Sequence, residues 1–285
     1  MSVRLKNQPV AVITGAAGGI GVACCRLLGR RHRLVLTDIS ADRLEALTST
    51  LTAEGYDVAA QIAGDLGDSN VQARMAEATR SSGPLGALVH TAGLSPSLAR
   101  WDAILQTNIV TTAQILDQFD DVAGEKAVYV LIASMAGHGL PRDDARDAVV
   151  DAPLQPDYLE RVAVFLRAIM NSNDDAALTG AAYGISKRAV IRMVEARAAA
   201  LGARGRRIVS ISPGTIFTPM GRAENDNNPA AAHVVQITPA GRWGMATDIA
   251  SAVEFLISDS AGFITGTDLR IDGGATPALR GGAIF

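Results

Sequence analysis

The sequence predicts a doubly wound parallel α/β fold, and three observations carry that expectation. Short apolar runs alternate with amphipathic helical stretches along the chain, the pattern of parallel strands joined by crossover helices. The first run, Val10-Ala11-Val12-Ile13, passes directly into a glycine-rich turn, Thr14 to Gly21, that opens a helix. The chain has 285 residues, 48% of them apolar, and shows no interdomain linker or internal repeat. That is enough to bury one full core, so a single domain over 1–285 is expected.

The elements follow in order. Strands are expected at 10–14, 33–38, 57–61, 85–90, 127–133, 207–212 and 268–272, giving seven in one sheet. The first helix carries Ile20, Ala23, Cys24, Leu27 and Leu28 at helical spacing. Others are expected at 41–53, where Ser40 is a good N-cap, and at 71–80, 98–119, 182–201 and 246–257. Residues 157–170 place Tyr158, Val162, Phe165, Leu166 and Ile169 on one face, so this helix must bury its stripe. Asn171-Ser172-Asn173-Asp174-Asp175 ends it. Pro141 to Asp151 is charged, with a loop or short helix expected. The segment 219–239, with Asn225-Asp226-Asn227-Asn228, reads as irregular and as a mobile lid.

Composition narrows the class of function. A net charge of −3 and a pI near 5.8 leave no basic footprint for nucleic acid. No apolar stretch is long enough for a membrane span. Met1 to Gln8 is polar and carries no secretory apolar core, so a cytoplasmic protein is expected. Cys24 and Cys25 are neighbours whose side chains diverge around a helix, so they read as small core fillers. His32, His90, His138 and His233 have no metal-ligand spacing, and no metal site is expected. His138 stands four residues beyond Ser134, close enough to line a cleft, although a loop position is the simpler reading.

The chemistry is carried by Tyr183 and Lys187, four apart and therefore on one helical face. A free phenol ionises near pH ~10, and an adjacent ammonium lowers that value. The pair then suits a general acid/base that moves a hydroxyl proton. By itself such a pair usually decorates a surface; its context raises it. Strand, glycine turn and helix in that order start a dinucleotide-binding unit. Gly15 would permit the tight turn, while Gly19 and Gly21 would bring backbone and helix to a pyrophosphate resting on the helix N-terminus. Asp38 ends the second strand, where a carboxylate accepts ribose hydroxyls and repels a 2′-phosphate. Ala16 and Ala17 add no cation to the turn, and Ile39 rather than Arg follows Asp38. NAD is therefore expected over NADP, with Ser40 capping the next helix and Asp38 free for the ribose.

In this order, Thr14-Gly-x-x-x-Gly-Ile-Gly21, Gly64-Asp65-Leu66, Ala92-Gly93, Asn108, Ser134, Tyr183-x-x-x-Lys187, Pro213-Gly214 and Asp272-Gly273-Gly274 resemble the short-chain dehydrogenase/reductase family from about Pro9 to Gly274. The resemblance implies a Rossmann-type sheet. It implies that Ile20 belongs to the dinucleotide turn and that Asp65 and Leu66 border the adenine. It makes Ala92 and Gly93 part of the cofactor cleft. Ser134 would hold the substrate oxygen, Tyr183 would act as acid/base, and Lys187 would hold the nicotinamide ribose while acidifying Tyr183. Asn108 would anchor a water that continues the proton relay. Pro213, Gly214 and Ile216 would line the nicotinamide site, and Thr218 would meet its carboxamide.

Two departures stand out. Family members often carry Asn-Asn-Ala-Gly where this chain has His90-Thr91-Ala92-Gly93, which puts a sheet contact in question; Thr91 is a shorter substitute. Tyr183 also stands 49 residues after Ser134, far more than in the common pattern, so a helical insertion at about 138–179 is expected. It reads either as a wall beside the substrate cleft or as a block on one oligomer interface. The insertion is similar to that of the 3α-hydroxysteroid dehydrogenase/carbonyl reductase branch, which implies a homodimer rather than a tetramer.

The expected function is interconversion of a secondary alcohol and a ketone on a hydrophobic substrate, a hydroxysteroid or other cyclic or aromatic carbonyl. Leu94, Met135, Ile216, Met220 and the insertion helix would form its pocket. A 3-oxoacyl thioester reductase is the first rival, disfavoured by Asp38 and by a basic patch of no more than Arg142, Arg146 and Arg222. A non-catalytic nicotinamide-binding sensor is the second, disfavoured by the intact Asn108, Ser134, Tyr183 and Lys187 set.

Overall fold

Seven strands form one parallel sheet in the order β3-β2-β1-β4-β5-β6-β7, in a computed structural model that describes residues 8–139, 143–227 and 229–281. They are β1 (Val10–Thr14), β2 (Arg33–Asp38), β3 (Val58–Ala63), β4 (Leu85–His90), β5 (Val128–Ile132), β6 (Arg207–Pro213) and β7 (Thr267–Ile271). Residues alternate between the two faces of each strand. Val10, Val12, Val35, Leu88, Tyr129 and Ile208 point to one core, and Ala11, Ile13, Leu34, Leu36, Val89 and Val209 to the other. Both faces are thus covered by helices, which is why the strands read as near-continuous apolar runs.

On the second of these faces lie α1 (Gly19–Leu28), α2 (Ala41–Ala53) and, from the far end of the chain, α11 (Ala246–Ile257). Cys24 and Cys25 are unbridged and buried there. The opposite face holds α3 (Ser69–Ser82), α4 (Trp101–Leu105) and α5 (Thr112–Asp120), and also α7 (Tyr158–Met170) and α8 (Asp175–Gly202). Short pieces complete the chain: α6 (Asp144–Asp147), α9 (Pro219–Asn227), α10 (Pro229–Ile237) and α12 (Ala275–Leu279). Strand order reverses between β1 and β4, and the crevice above their carboxyl ends is where such sheets bind ligands.

Beyond shifts of one or two residues at element ends, the structure differs from the sequence reading in three places. The stretch expected as one helix over 98–119 is interrupted by a π-turn, Gln106–Thr111, between α4 and α5. Helix α8 begins seven residues before the expected start, because the Asp174 carboxylate accepts from Ala177 N at 2.9 Å and caps it. Tyr183 therefore sits two turns into a 28-residue helix. The segment expected to be irregular forms α9 and α10, each opening on a proline. Proline at the first helical position loses no hydrogen bond and presets φ, so the residues read as loop punctuation start two helices. Strand β3 lies one to two residues beyond its expected limits.

The insertion helix α7 matches its expected stripe at Tyr158, Val162 and Leu166, with Ile169 left 42% exposed. Asn171 closes it in the left-handed conformation, φ 46°. It packs on α8 and α4. The preceding loop is tied to α8 by ion pairs of Arg188 with Asp147 and Arg192 with Asp151. Met1 to Asn7, Pro141, Arg142 and Asn228 lie outside the described residues, as does the side chain of Arg146.

Candidate active site

The glycine turn is built by close approach. Gly15 has φ +62°, and a Cβ there would lie 2.8 Å from Ala92 N. A Cβ on Gly21 would lie 2.3 Å from Gly15 O, so α1 seats directly on the turn. A Cβ on Gly19 would lie 2.4 Å from the Thr218 methyl, which brings the loop after β6 against the turn after β1. Ile20 packs at the edge of the same core. Asp38 is not free, as the sequence suggested. Its carboxylate accepts from Ala17 N at 3.0 Å and Ser40 N at 3.1 Å, and it pairs with Arg43 Nη2 at 3.3 Å. Ser40 caps α2 as expected.

Asp65 turns its carboxylate onto Gly67 N at 2.8 Å and is exposed, while Leu66 is buried in the core. On the other side of the crevice, Pro213 ends β6, and Gly214 packs against Asp272, whose Cα a Cβ would approach to 2.7 Å. Ile216 is buried and bridges to Gly244. All the expected cofactor residues thus lie along the carboxyl edge of the sheet.

Two of the expected polar side chains, Asn108 and Lys187, stand beside Gly93. Lys187, 6% exposed, donates from Nζ to Ile132 O at 2.9 Å, and its Nζ lies 5.8 Å from the centroid of the Tyr183 ring. Ser134 caps the turn after β5, accepting from Ala136 N at 3.2 Å, and acts to lower the Tyr183 phenol. Asn108, inside the π-turn, accepts from Leu94 N at 2.8 Å and donates to Leu94 O at 2.9 Å and Ser186 Oγ at 3.0 Å. Its amide therefore ties the loop after β4 to α8. Its backbone carbonyl accepts from Thr112 Oγ1 at 2.9 Å, leaving one lone pair for a water.

The electrostatics depart from the sequence expectation. Burial pushes the Tyr183 phenol up to about 12; the Glu224 carboxylate pushes the same way, and the Ser134 hydrogen bond opposes them. Burial pulls Lys187 down to about 8 against the attraction of Glu224. The cation faces the aromatic ring and a carbonyl, and burial dominates the phenol. Glu224 escaped the sequence reading, because its surroundings looked like an unstructured loop; it lies half-buried on α9, where burial pushes its carboxyl up while Ser95 and Lys187 act to hold it down.

His90 also has a role that composition could not show. Nδ1 lies 2.8 Å from Thr14 Oγ1 and Nε2 lies 3.0 Å from Thr112 Oγ1. Thr112 spends its proton on Asn108 O, so it accepts from His90 Nε2–H, and Thr14 donates to Nδ1. Thr91 donates to Thr14 O at 2.6 Å and supplies the sheet contact in question. His138 is turned away from the cleft, with Nε2 2.8 Å from Asp268 Oδ2. Among the described residues no group of three or more His, Cys, Asp or Glu could hold a metal, and no helix is long and apolar enough to cross a membrane.

Residues 9–142 match the family described as short chain dehydrogenase, and residues 164–276 the one described as Enoyl-(Acyl carrier protein) reductase. A short-chain dehydrogenase/reductase of Alternaria brassicicola, bsc3, is 31% identical over 276 residues, covering 96% of this chain and 97% of that protein. This chain belongs to the short-chain dehydrogenase/reductase family. The 2-(S)-hydroxypropyl-CoM dehydrogenase 3 of Xanthobacter autotrophicus is 30% identical, covering 97% and 99% of the two chains. The solved structure of a short-chain dehydrogenase/reductase from Serratia marcescens aligns with TM-score 0.73 at 25% identity, covering 95% and 98%. The enzyme is accordingly an oxidoreductase that uses a nicotinamide cofactor. The residues fit such a group: the glycine cradle would be closed by any Cβ, and Lys187 keeps two N–H groups beyond the one given to Ile132.

Burial, with a smaller contribution from Lys187, pulls His90 down to about 3. The unfolded chain binds this proton below pH ~6.5 while the folded chain refuses it. Stability is therefore lost as pH falls from about 6.5 towards 3. Urea unfolding at pH 7 and pH 4.5 is expected to show a wild-type loss about 3 kcal/mol larger than that of His90→Gln.

Proposed function

We propose that the enzyme interconverts a secondary alcohol and a ketone with NAD as its hydride carrier. The observation that carries the reading is the convergence of Ser134, Tyr183 and Lys187 within one crevice, next to the glycine turn and Thr218. Gly15, Gly19, Ile20 and Gly21 would seat the pyrophosphate, and Asp38 would take the adenosine ribose. Asp65 and Leu66 would border the adenine, while Ala92, Gly93, Pro213, Gly214, Ile216 and Thr218 would enclose the nicotinamide half. Bound NAD⁺ supplies the acceptor for the hydride leaving the carbinol carbon. Ser134 donates to the substrate oxygen, and Tyr183 takes its proton in oxidation or gives it in reduction. Because burial keeps Tyr183 protonated, the resting phenol is the form that reduces a ketone. Lys187 holds the ribose, and Asn108 fixes the loop after β4 and offers its carbonyl to the relay water. Half-buried Leu94 and Met135, with Met220, would receive the apolar body of a cyclic or aromatic substrate.

Asp38 supports NAD over NADP because two backbone N–H groups hold its carboxylate where a 2′-phosphate would meet it. Arg43 beside it is 62% exposed and already paired. A homodimer is the expected assembly. The insertion helix covers α8, while Phe263, Phe255 and Leu269 leave an apolar surface open along α11 and β7, of the kind that marks contacts between chains.

Tyr183→Phe is expected to lower kcat for NADH formation by about 10²–10⁴; retained turnover would remove the assigned acid/base. Titration should give a Kd for NADPH at least about tenfold above that for NADH, since facing like charges costs several kcal/mol. Equal affinities would overturn the cofactor assignment. Sedimentation of the wild type should give a dimer that Phe263→Glu dissociates, and a stable tetramer would refute this reading.

A further inference from the structure

The turn after Ser134 is fastened at its far end by a histidine that takes no part in the proton chemistry. Met135–His138 is a single 3₁₀ turn whose amides close back on Ser134. Ala136 N donates to the serine Oγ at 3.2 Å, and Gly137 N to its carbonyl at 2.9 Å. So short a piece has few hydrogen bonds of its own, and its neighbours must fix it. One neighbour is α8. A Cβ on Gly137 would lie 2.9 Å from the Lys187 carbonyl carbon, and one on Gly184 would lie 3.5 Å from Ala136 O. The turn therefore lies directly against the stretch of helix between Tyr183 and Lys187.

The other neighbour is β7, at the edge of the sheet. His138 Nε2 stands 2.8 Å from Asp268 Oδ2. An ionised carboxylate only accepts, so Nε2 carries the hydrogen and donates. The opposite oxygen, Oδ1, accepts from Ser210 Oγ at 2.6 Å and from Ser212 Oγ at 3.0 Å. Both serines are fully buried, and the Asp268 side chain is 7% exposed. A buried carboxylate held by three side-chain donors is a firm anchor, because losing any one leaves acceptor capacity unmet away from water. The His138 carbonyl is held as well, accepting from Arg280 Nη2 at 2.8 Å just beyond α12.

We propose that His138 is a positioning residue for the alcohol–ketone reaction: its hydrogen bond to Asp268 holds the 135–138 turn against α8 and so fixes Ser134 relative to Tyr183 and Lys187. Turned away from the cleft, it acts through Ser134. This rests on the reading above, in which Ser134 donates to the substrate oxygen, and adds the strut that keeps the hydroxyl in place. A shift of about 1 Å at such a group can cost on the order of 10²-fold in rate, so a distant anchor has kinetic weight.

The test combines amide hydrogen exchange with turnover of 1-indanol under NAD⁺. It uses the wild type, His138→Ala, His138→Gln, Ser134→Ala, the double variant of Ser134→Ala with His138→Ala, and Tyr183→Phe. In His138→Ala the Ala136 and Gly137 amides should exchange at least about tenfold faster, since the turn then opens without breaking a hydrogen bond to a charged group. Its kcat should fall about 10–10²-fold while KM for NAD⁺ stays within about twofold. His138→Gln keeps an N–H donor at similar reach, so it should recover to within about threefold of the wild type. That recovery keeps the comparison from hanging on the folding of His138→Ala. In the Ser134→Ala background, His138→Ala should cost less than about twofold more, because both changes act on one group. Unchanged amide exchange, wild-type kcat in His138→Ala, losses that multiply in the double variant, or a loss that His138→Gln does not recover overturns the proposal. Turnover surviving in Tyr183→Phe refutes the alcohol–ketone reading instead. The exchange comparison needs no substrate and decides the role of His138 in either case.

Discussion

The site is organised around one buried cation. Placing the Lys187 ammonium at 6% exposure is costly unless its donors are met, and the end of β5 meets one of them with the Ile132 carbonyl. Its neighbours follow from that placement. Gly93 lets the loop after β4 come close to both Asn108 and Lys187, since a Cβ there would stand 3.1 Å from Asn108 Oδ1 and 3.4 Å from Nζ. The charge helps keep His90 neutral, and the Glu224 carboxylate on α9 partly offsets the burial of the ammonium through space. Tyr183 gains less than its spacing promised, since the ammonium faces the ring and the carbonyl while burial governs the phenol.

A second continuous connection joins the end of β1 to helix α8. Ala92 N donates to Thr14 Oγ1, Thr14 to His90, His90 to Thr112, and Thr112 to the Asn108 carbonyl. Asn108 passes the constraint on through Ser186, whose hydroxyl donates to Tyr183 O at 2.8 Å. A charged imidazole would lose its acceptor and break this chain at Thr14. Burial of a neutral histidine is thus a structural condition of the site, and the π-turn that carries Asn108 is a common feature of functional helices.

The α7 segment and helix α9 are held in different ways. The insertion is anchored by an apolar stripe at Tyr158, Val162 and Leu166, and by arginines from α8, and so stiffens the helix that bears Tyr183 and Lys187. Helix α9 is attached through Thr218 and Gly221 to the same loop that faces the glycine turn. The loop after β6 and helix α9 are therefore consecutive turns of one segment.

By itself the sequence determined the sheet and most of its helices, because apolar periodicity and the Gly15, Gly19 and Gly21 turn are local signals. It also named Ser134, Tyr183 and Lys187, whose types and order are legible without coordinates. It missed what depends on long-range neighbours. Asp174 caps α8 early, prolines start α9 and α10, and a π-turn re-registers Asn108; each is a local pattern with two readings that packing resolves. Asp38 looked free until backbone N–H groups from two segments closed on it. The Tyr183 phenol, the neutrality of His90 and the place of Glu224 were decided by tertiary structure, because burial and through-space charge arise from residues far apart in the chain.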